Sequence, residues 1–307
     1  MIPLALAVLT ASLGAAIAAP DFDWTAIEPS WNLTYTPCFD KFECARLLVP
    51  LDWLDTENNT HTVAIAILKS AASVPEDDST HGGPILLNPG GPGGSGVNFA
   101  KSWADRLRPY TESETKKFDF IGFDPRGVGA TSPQADCFLN PWARQVFEFQ
   151  KKAIGEMVPD RETLARRLAL AHSFGELCEK DPLGEGSILG FSSTASVARD
   201  MVEIIDKIEE RKQNEKNKMR RMEMAQIYQK PMGIDKEEED EESEKSIPRL
   251  QYMGFSYGTV LGNTFASMFP GRIGRIILDG VCDIDDYMSG VRSAIPSITL
   301  IRDDAAG

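Results

Sequence analysis

Arg249-Leu-Gln-Tyr-Met-Gly-Phe-Ser-Tyr-Gly-Thr-Val-Leu-Gly262 decides the fold. Apolar and aromatic residues lead into Gly254-Phe255-Ser256-Tyr257-Gly258, and a run with small residues at Gly258, Gly262 and Ala266 follows at helical spacing. This is a strand, a sharp turn and a helix with a serine at the apex, the context in which G-x-S-x-G forms a nucleophile elbow. The turn strains the serine backbone, so the flanking positions must lack bulk, and Gly254 and Gly258 meet that need. The hydroxyl of Ser256 is then held clear of the sheet, with the positive end of the following helix behind it. Ser256 is the candidate nucleophile.

A second glycine-rich stretch supports the same chemistry. Pro84-Ile-Leu-Leu-Asn88 reads as a short buried strand, and Pro89-Gly-Gly-Pro-Gly-Gly-Ser-Gly96 follows it. Glycines Gly90, Gly91 and Gly93 at the end of a strand let the backbone approach a ligand and aim N–H groups at it. The pattern predicts an oxyanion hole made by the N–H groups of Gly91 and Tyr257. A phosphate loop is the competing reading, but the Gly-Lys-Ser/Thr end of a Walker sequence is missing. His81-Gly82-Gly83-Pro84 precedes the strand instead of following it, so His81 reads as an exposed loop residue.

Outward from these stretches, Ala45–Trp53 and Thr62–Lys69 predict an antiparallel pair, and Phe118–Asp124 a parallel-type strand. Asp124 and Arg126, in the turn after that strand, read as a structural ion pair or turn former. Helices are predicted over Val97–Leu107, in two pieces within Phe138–Lys180, and over Thr194–Lys207. From 209 to 245 a basic block, Arg211–Arg221, precedes an acidic one, Asp235–Glu244; blocks of like charge predict a solvated, disordered insertion. Ile273–Asp279 reads as the strand after the elbow helix, Gly280–Gly290 as an Asp-rich loop, and 291–307 as a tail without pattern.

A chain of 307 residues is ample for a sizeable core, and its net charge of −14 argues against nucleic acid or an anionic membrane as partner. Residues 1–19 carry no charged side chain and end in small residues before Pro20, which predicts a cleaved secretory signal and a mature protein free of the membrane. Asn32-Leu33-Thr34 and Asn58-Asn59-Thr60 are glycosylation sequons. Of five cysteines, Cys38 and Cys44 can staple a short loop and Cys137 can pair with Cys178, leaving Cys282 without a partner. No zinc-type spacing is present, and neither metal nor cofactor is expected.

Together, Asn88–Gly96, Phe120–Gly129, Gly254–Gly262 and Phe269–Gly280 resemble secreted α/β-hydrolases, most closely the tripeptidyl/prolyl aminopeptidase family. The likeness runs from about Cys38 to about Gly290, interrupted by the charged insertion. It implies a domain over 20–290 with a mostly parallel, twisted sheet and helices on both faces. It also implies a Ser–Asp–His triad releasing residues from peptide N-termini, with Ser256 as nucleophile and Gly91 and Tyr257 as oxyanion donors. The triad order places acid and base after later strands, whereas His61, His81 and His172 all precede Ser256. Acid and base are therefore expected beyond Gly290, and the chain reads as a fold lacking its last strands and C-terminal region, inactive as it stands. Two other readings remain: a secreted esterase or lipase on the same fold, and a non-catalytic pseudo-hydrolase that binds a ligand. The expected partner is a peptide or small ester, and a monomer is expected.

Overall fold

The computed structural model describes residues 22–55, 61–138, 140–155, 161–179, 188–228, 247–289 and 299–302. The predicted leader, Asn58 and the acidic block 235–244 lie outside them. The strands are β1 (Thr36–Cys38), β2 (Phe42–Pro50), β3 (Thr62–Ser70), β4 (His81–Asn88), β5 (Lys117–Phe123), β6 (Leu250–Phe255), β7 (Ile273–Asp279) and β8 (Thr299–Arg302). They form one sheet in the order β1-β2-β3-β5-β4-β6-β7-β8. At its centre β5, β4, β6 and β7 run parallel, and antiparallel pairs flank them on both sides. The exchange of β4 and β5 in an otherwise sequential order, with helices on both faces, makes this an α/β-hydrolase sheet.

Residues alternate across the sheet with period two, which creates two cores. On one face Leu47, Val49, Ile65, Ile67, Leu86, Ile121, Phe123 and Tyr252 pack on Val197, Met201, Ile204 and Ile208 of α4 (Thr194–Tyr228) and on Leu261 and Phe265 of α5 (Tyr257–Met268). On the other, Leu68, Leu87, Phe118, Phe120 and Met253 meet Val97, Ala100 and Ala104 of α1 (Gly96–Thr111).

Two further helices, α2 (Pro141–Ile154) and α3 (Arg161–Glu179), form a hairpin between β5 and α4. The disulfide Cys137–Cys178 joins its ends, and Cys38–Cys44 joins β1 to β2. Neither hairpin helix has a fully buried residue, and an apolar groove of 940 Å³ lies between them, lined by Phe138, Phe147 and Phe174.

Several sequence expectations change. The helix expected over 194–207 runs on to Tyr228, so the basic block is helical, not an irregular insertion. Most residues beyond Lys207 are strong helix formers, none is glycine or proline, and Arg211 pairs with Glu215 one turn on. Within the Asp-rich loop, Ile284–Ser289 forms a short helix, α6. The patternless tail contains β8, which pairs antiparallel with Arg275–Leu278 and covers the edge of β7.

His81 is the largest correction. It opens β4, and its side chain is 3% exposed, with Nε2 3.3 Å from Oδ2 of Asp119. Its Nδ1 accepts the Gly83 N–H. The pair sits at the N-terminal end of the central strands β4 and β5, remote in topology from the elbow at the C-terminal end of β6. Nearby, Lys69 binds Glu43 and Glu76, and Arg211 grips Glu76 with two hydrogen bonds. Burial raises the Glu76 carboxyl, but Lys69 and Arg211 outweigh it and hold it at about 2.

Asp124 and Arg126 form no pair with each other. Arg126 is fully buried and directs its donors to both carboxylate oxygens of Asp200, at 2.7 and 2.6 Å, and to the carbonyls of Pro50, Leu51 and Phe191. These contacts use all five guanidinium N–H groups. The Trp53 indole donates to the same carboxylate. Burial pushes the Asp200 carboxyl up, and Arg126 and Trp53 hold against it. This cluster pins α4 to the turn after β5.

Candidate active site

Adjacent parallel strands deliver the two glycine-rich turns to one place. In the β4–β6 register Asn88 lies opposite Gly254, so the chain leaves both strands side by side at their C-terminal ends, where open α/β sheets bind ligands. From β6 the chain turns at Ser256, with φ 54° and ψ −124°, and enters α5. A non-glycine residue held there is strained by about 1–3 kcal/mol and persists only when its surroundings impose it. Here the Ser256 N–H donates to the Asp279 carbonyl (3.0 Å), the Ser256 carbonyl accepts from the Thr259 N–H and hydroxyl, and the Tyr252 hydroxyl donates to the Gly258 carbonyl (2.8 Å). Ser256 is exposed. Its side chain makes no capping hydrogen bond.

The loop after β4 lies directly against this turn. A methyl group built on Gly90 would stand 2.3 Å from the Phe255 carbonyl and 2.8 Å from the Tyr257 nitrogen. Gly90 and Gly93 hold φ of 89° and 95°, and Gly91 holds 119°. Gly254 and Gly258 are buried against one another and against Tyr252 and Asn88, which accounts for the lack of side chains at both. Among the described residues the N–H groups of Gly91 and Tyr257 make no hydrogen bond.

Asp124 holds the far side of the loop. It accepts from the Ser95 hydroxyl (2.6 Å), the Val97 N–H and the Ala130 N–H, fixing the start of α1 to the turn after β5. Burial raises its carboxyl, and the donors from Ser95, Ala130 and Val97 oppose that rise. Aromatic rings flank the elbow. Phe255 packs on Phe99, which stacks on the partly exposed Trp103, while Tyr257 packs on Tyr287 of α6. The Tyr257 hydroxyl shares a 2.6 Å hydrogen bond with Thr194 at the start of α4. Burial raises the Tyr257 phenol above its ordinary range.

The structure does not bring a histidine to the elbow. His61 is exposed at the start of β3, His81 is buried at the opposite end of β4, and His172 is exposed on α3. Asp279, the last residue of β7, and Asp283, in the loop after it, are both exposed. Among the described residues no group of three or more His, Cys, Asp or Glu side chains could hold a metal ion. Asn32 is exposed, and Cys282 is unpaired. Asn88, Thr194 and Tyr287 were not legible as site residues; Asn88 directly precedes the glycine loop, and nothing local marks the other two.

No protein-family model matches the chain. It is 28% identical over 274 residues to a tripeptidyl aminopeptidase of Streptomyces lividans, covering 87% of this chain and 40% of that protein. It is 27% identical over 240 residues to the serine protease Hip1 of Mycobacterium tuberculosis, covering 78% and 36%. A solved structure from Nostoc sp PCC 7120, named as an alpha/beta hydrolase, shares 14% identity and a TM-score of 0.34 over 81% of this chain and 47% of that one. The chain thus spans about two fifths of the length of the curated relatives it matches.

Proposed function

We propose that Ser256 is the nucleophile of a secreted serine hydrolase that removes residues or short peptides from the N-termini of peptides. The observation that carries this reading is an exposed serine at φ 54° whose neighbouring Tyr257 N–H makes no hydrogen bond among the described residues and is faced by the glycine loop. In that arrangement the Ser256 oxygen attacks a carbonyl carbon. The carbonyl oxygen becomes an oxyanion held by the N–H groups of Gly91 and Tyr257, and collapse expels the amine to leave an acyl-enzyme that water hydrolyses. The base that takes the serine proton and returns it to the departing amine is a group other than the three histidines of this chain, which stand away from the elbow. Tyr257 with Tyr287 on one side, and Phe99 with Trp103 on the other, offer apolar walls for the residues flanking the scissile bond. Likeness to the aminopeptidase and to the serine protease spans 87% and 78% of the chain, against 61% for a relative named carboxylesterase B, which supports peptide over ester substrates.

The test is labelling by a fluorophosphonate probe, located by mass spectrometry, on the 307-residue chain and on any longer product of the same reading frame, with Ser256→Ala as control. Failure of both lengths, each folded, to take label at Ser256 counts against the reading. Hydrolysis of an aminoacyl anilide in preference to a short acyl ester separates peptidase from esterase. The absence of a histidine at the elbow favours a second reading, a ligand-binding pseudo-hydrolase, and a folded, unreactive longer product that still binds peptides would establish it.

A further inference from the structure

Two of the amides between Asn88 and Gly96 are engaged within the loop itself. The Gly90 N–H donates to Oδ1 of Asn88 (2.9 Å) and the Gly94 N–H to the Gly90 carbonyl (3.0 Å), while Pro89 and Pro92 have no N–H. Among the described residues the Gly91, Gly93 and Ser95 amides make no hydrogen bond, and of these Gly91 stands one peptide beyond the contact of Gly90 with Tyr257. Asn88 itself is 2% exposed. Its side-chain oxygen also abuts the elbow helix, since a methyl on Gly258 would lie 3.0 Å from Oδ1 and 2.7 Å from the Asn88 carbonyl. One buried oxygen thus touches both halves of the site. The oxygen, not the NH₂, must face Gly90, because two donors cannot pair.

From this geometry we infer that Asn88 is a positioning residue for the oxyanion hole. By engaging the Gly90 N–H it turns the next peptide so that the Gly91 N–H faces the reacting carbonyl, and by packing on Gly258 it fixes the distance from that donor to the Tyr257 N–H. The inference rests on the reading of Ser256 as nucleophile. It adds a requirement that residue 88 carry a compact, neutral acceptor. Alanine lacks the acceptor and releases the loop. Aspartate keeps the acceptor but, when ionised, sets a negative charge beside the place where negative charge develops.

Asn88→Ala, Asn88→Asp and the parent chain are compared by fluorophosphonate labelling of Ser256 and by amide hydrogen exchange. For Asn88→Ala the labelling rate falls about 100-fold at saturating probe, since a displacement of about 1 Å costs that much. Exchange across 89–95 accelerates at least about tenfold while β4 and β6 keep their protection. For Asn88→Asp, exchange stays at the parent level, and the labelling rate relative to parent falls about tenfold or more as pH rises through the titration of the new carboxyl. A purely structural role would give a flat ratio. Parental exchange in Asn88→Ala, or a pH-independent ratio for Asn88→Asp, overturns the inference. If the parent is labelled at neither the 307-residue nor the longer length, the hydrolase reading fails instead, and exchange alone still decides whether Asn88 orders the loop. Should Asn88→Ala not fold, Asn88→Asp carries both measurements.

Discussion

Gly90→Ala, set beside Gly93→Ala, separates the strain of a loop from its closeness to the elbow. Both glycines hold similar backbone angles, φ 89° and 95°, so a side chain at either meets about the same conformational penalty, on the order of 1–3 kcal/mol. Their surroundings differ. Nothing lies within 4 Å of a methyl group at 93, whereas at 90 it would fall 2.3 Å from the Phe255 carbonyl, 2.8 Å from the Tyr257 nitrogen and 3.1 Å from the Gly258 nitrogen, all backbone atoms that cannot rotate away. Gly93→Ala should therefore lower the melting temperature by roughly 2–12 °C, at about 2–4 °C per kcal/mol for a domain of this size. Gly90→Ala should lower it further, because loop and elbow must part. It should also cut Ser256 labelling by about 100-fold or more, the loss that accompanies one oxyanion donor. Differential scanning fluorimetry and labelling kinetics on the two variants give both numbers. Equal stability and equal reactivity would falsify the close packing of the two turns on which the proposed chemistry depends.

Asp200→Ala should destabilise by about 3–5 kcal/mol in denaturant melts, because the buried Arg126 would lose its counter-charge; a loss under 1 kcal/mol would mean that water reaches the guanidinium. The Glu76 carboxyl, ordinarily near 4.5 and held at about 2, contributes stability that is complete above pH about 4.5 and disappears as pH falls toward 2. Glu76→Gln should flatten that part of the stability–pH curve, and an unchanged slope would remove the Lys69–Glu76–Arg211 cluster as its source. Secreted from a eukaryotic host, the protein should carry a glycan on the exposed Asn32. Mass spectrometry finding only unmodified Asn32 in secreted material would refute this.

How much of the fold is legible in the sequence depends on how local each cause is. The elbow and the glycine loop were legible because tight turns demand glycine wherever they occur, and Gly254, Gly258, Gly90 and Gly91 stand within a few residues of what they serve. The inner strands and the break between α2 and α3 were legible as well, since apolar runs and helical periodicity are short-range signals. In the charged segment helix propensity outweighs the blocks of like charge that predict disorder. Lys, Arg, Gln, Glu and Met favour a helix once a packed segment such as Val197–Ile208 has nucleated it.

The amino-acid order by itself therefore determined the class of sheet, the serine at its apex and the loop that faces it, all consequences of backbone geometry written into adjacent residues. Only the tertiary structure decided that Arg126 reaches across 74 positions to Asp200, that His81 is buried on Asp119, and that Asn88 is wedged between loop and helix. Such partners are chosen by strand register and helix docking, which bring distant residues together through the packing of the whole core. No window of sequence contains that information.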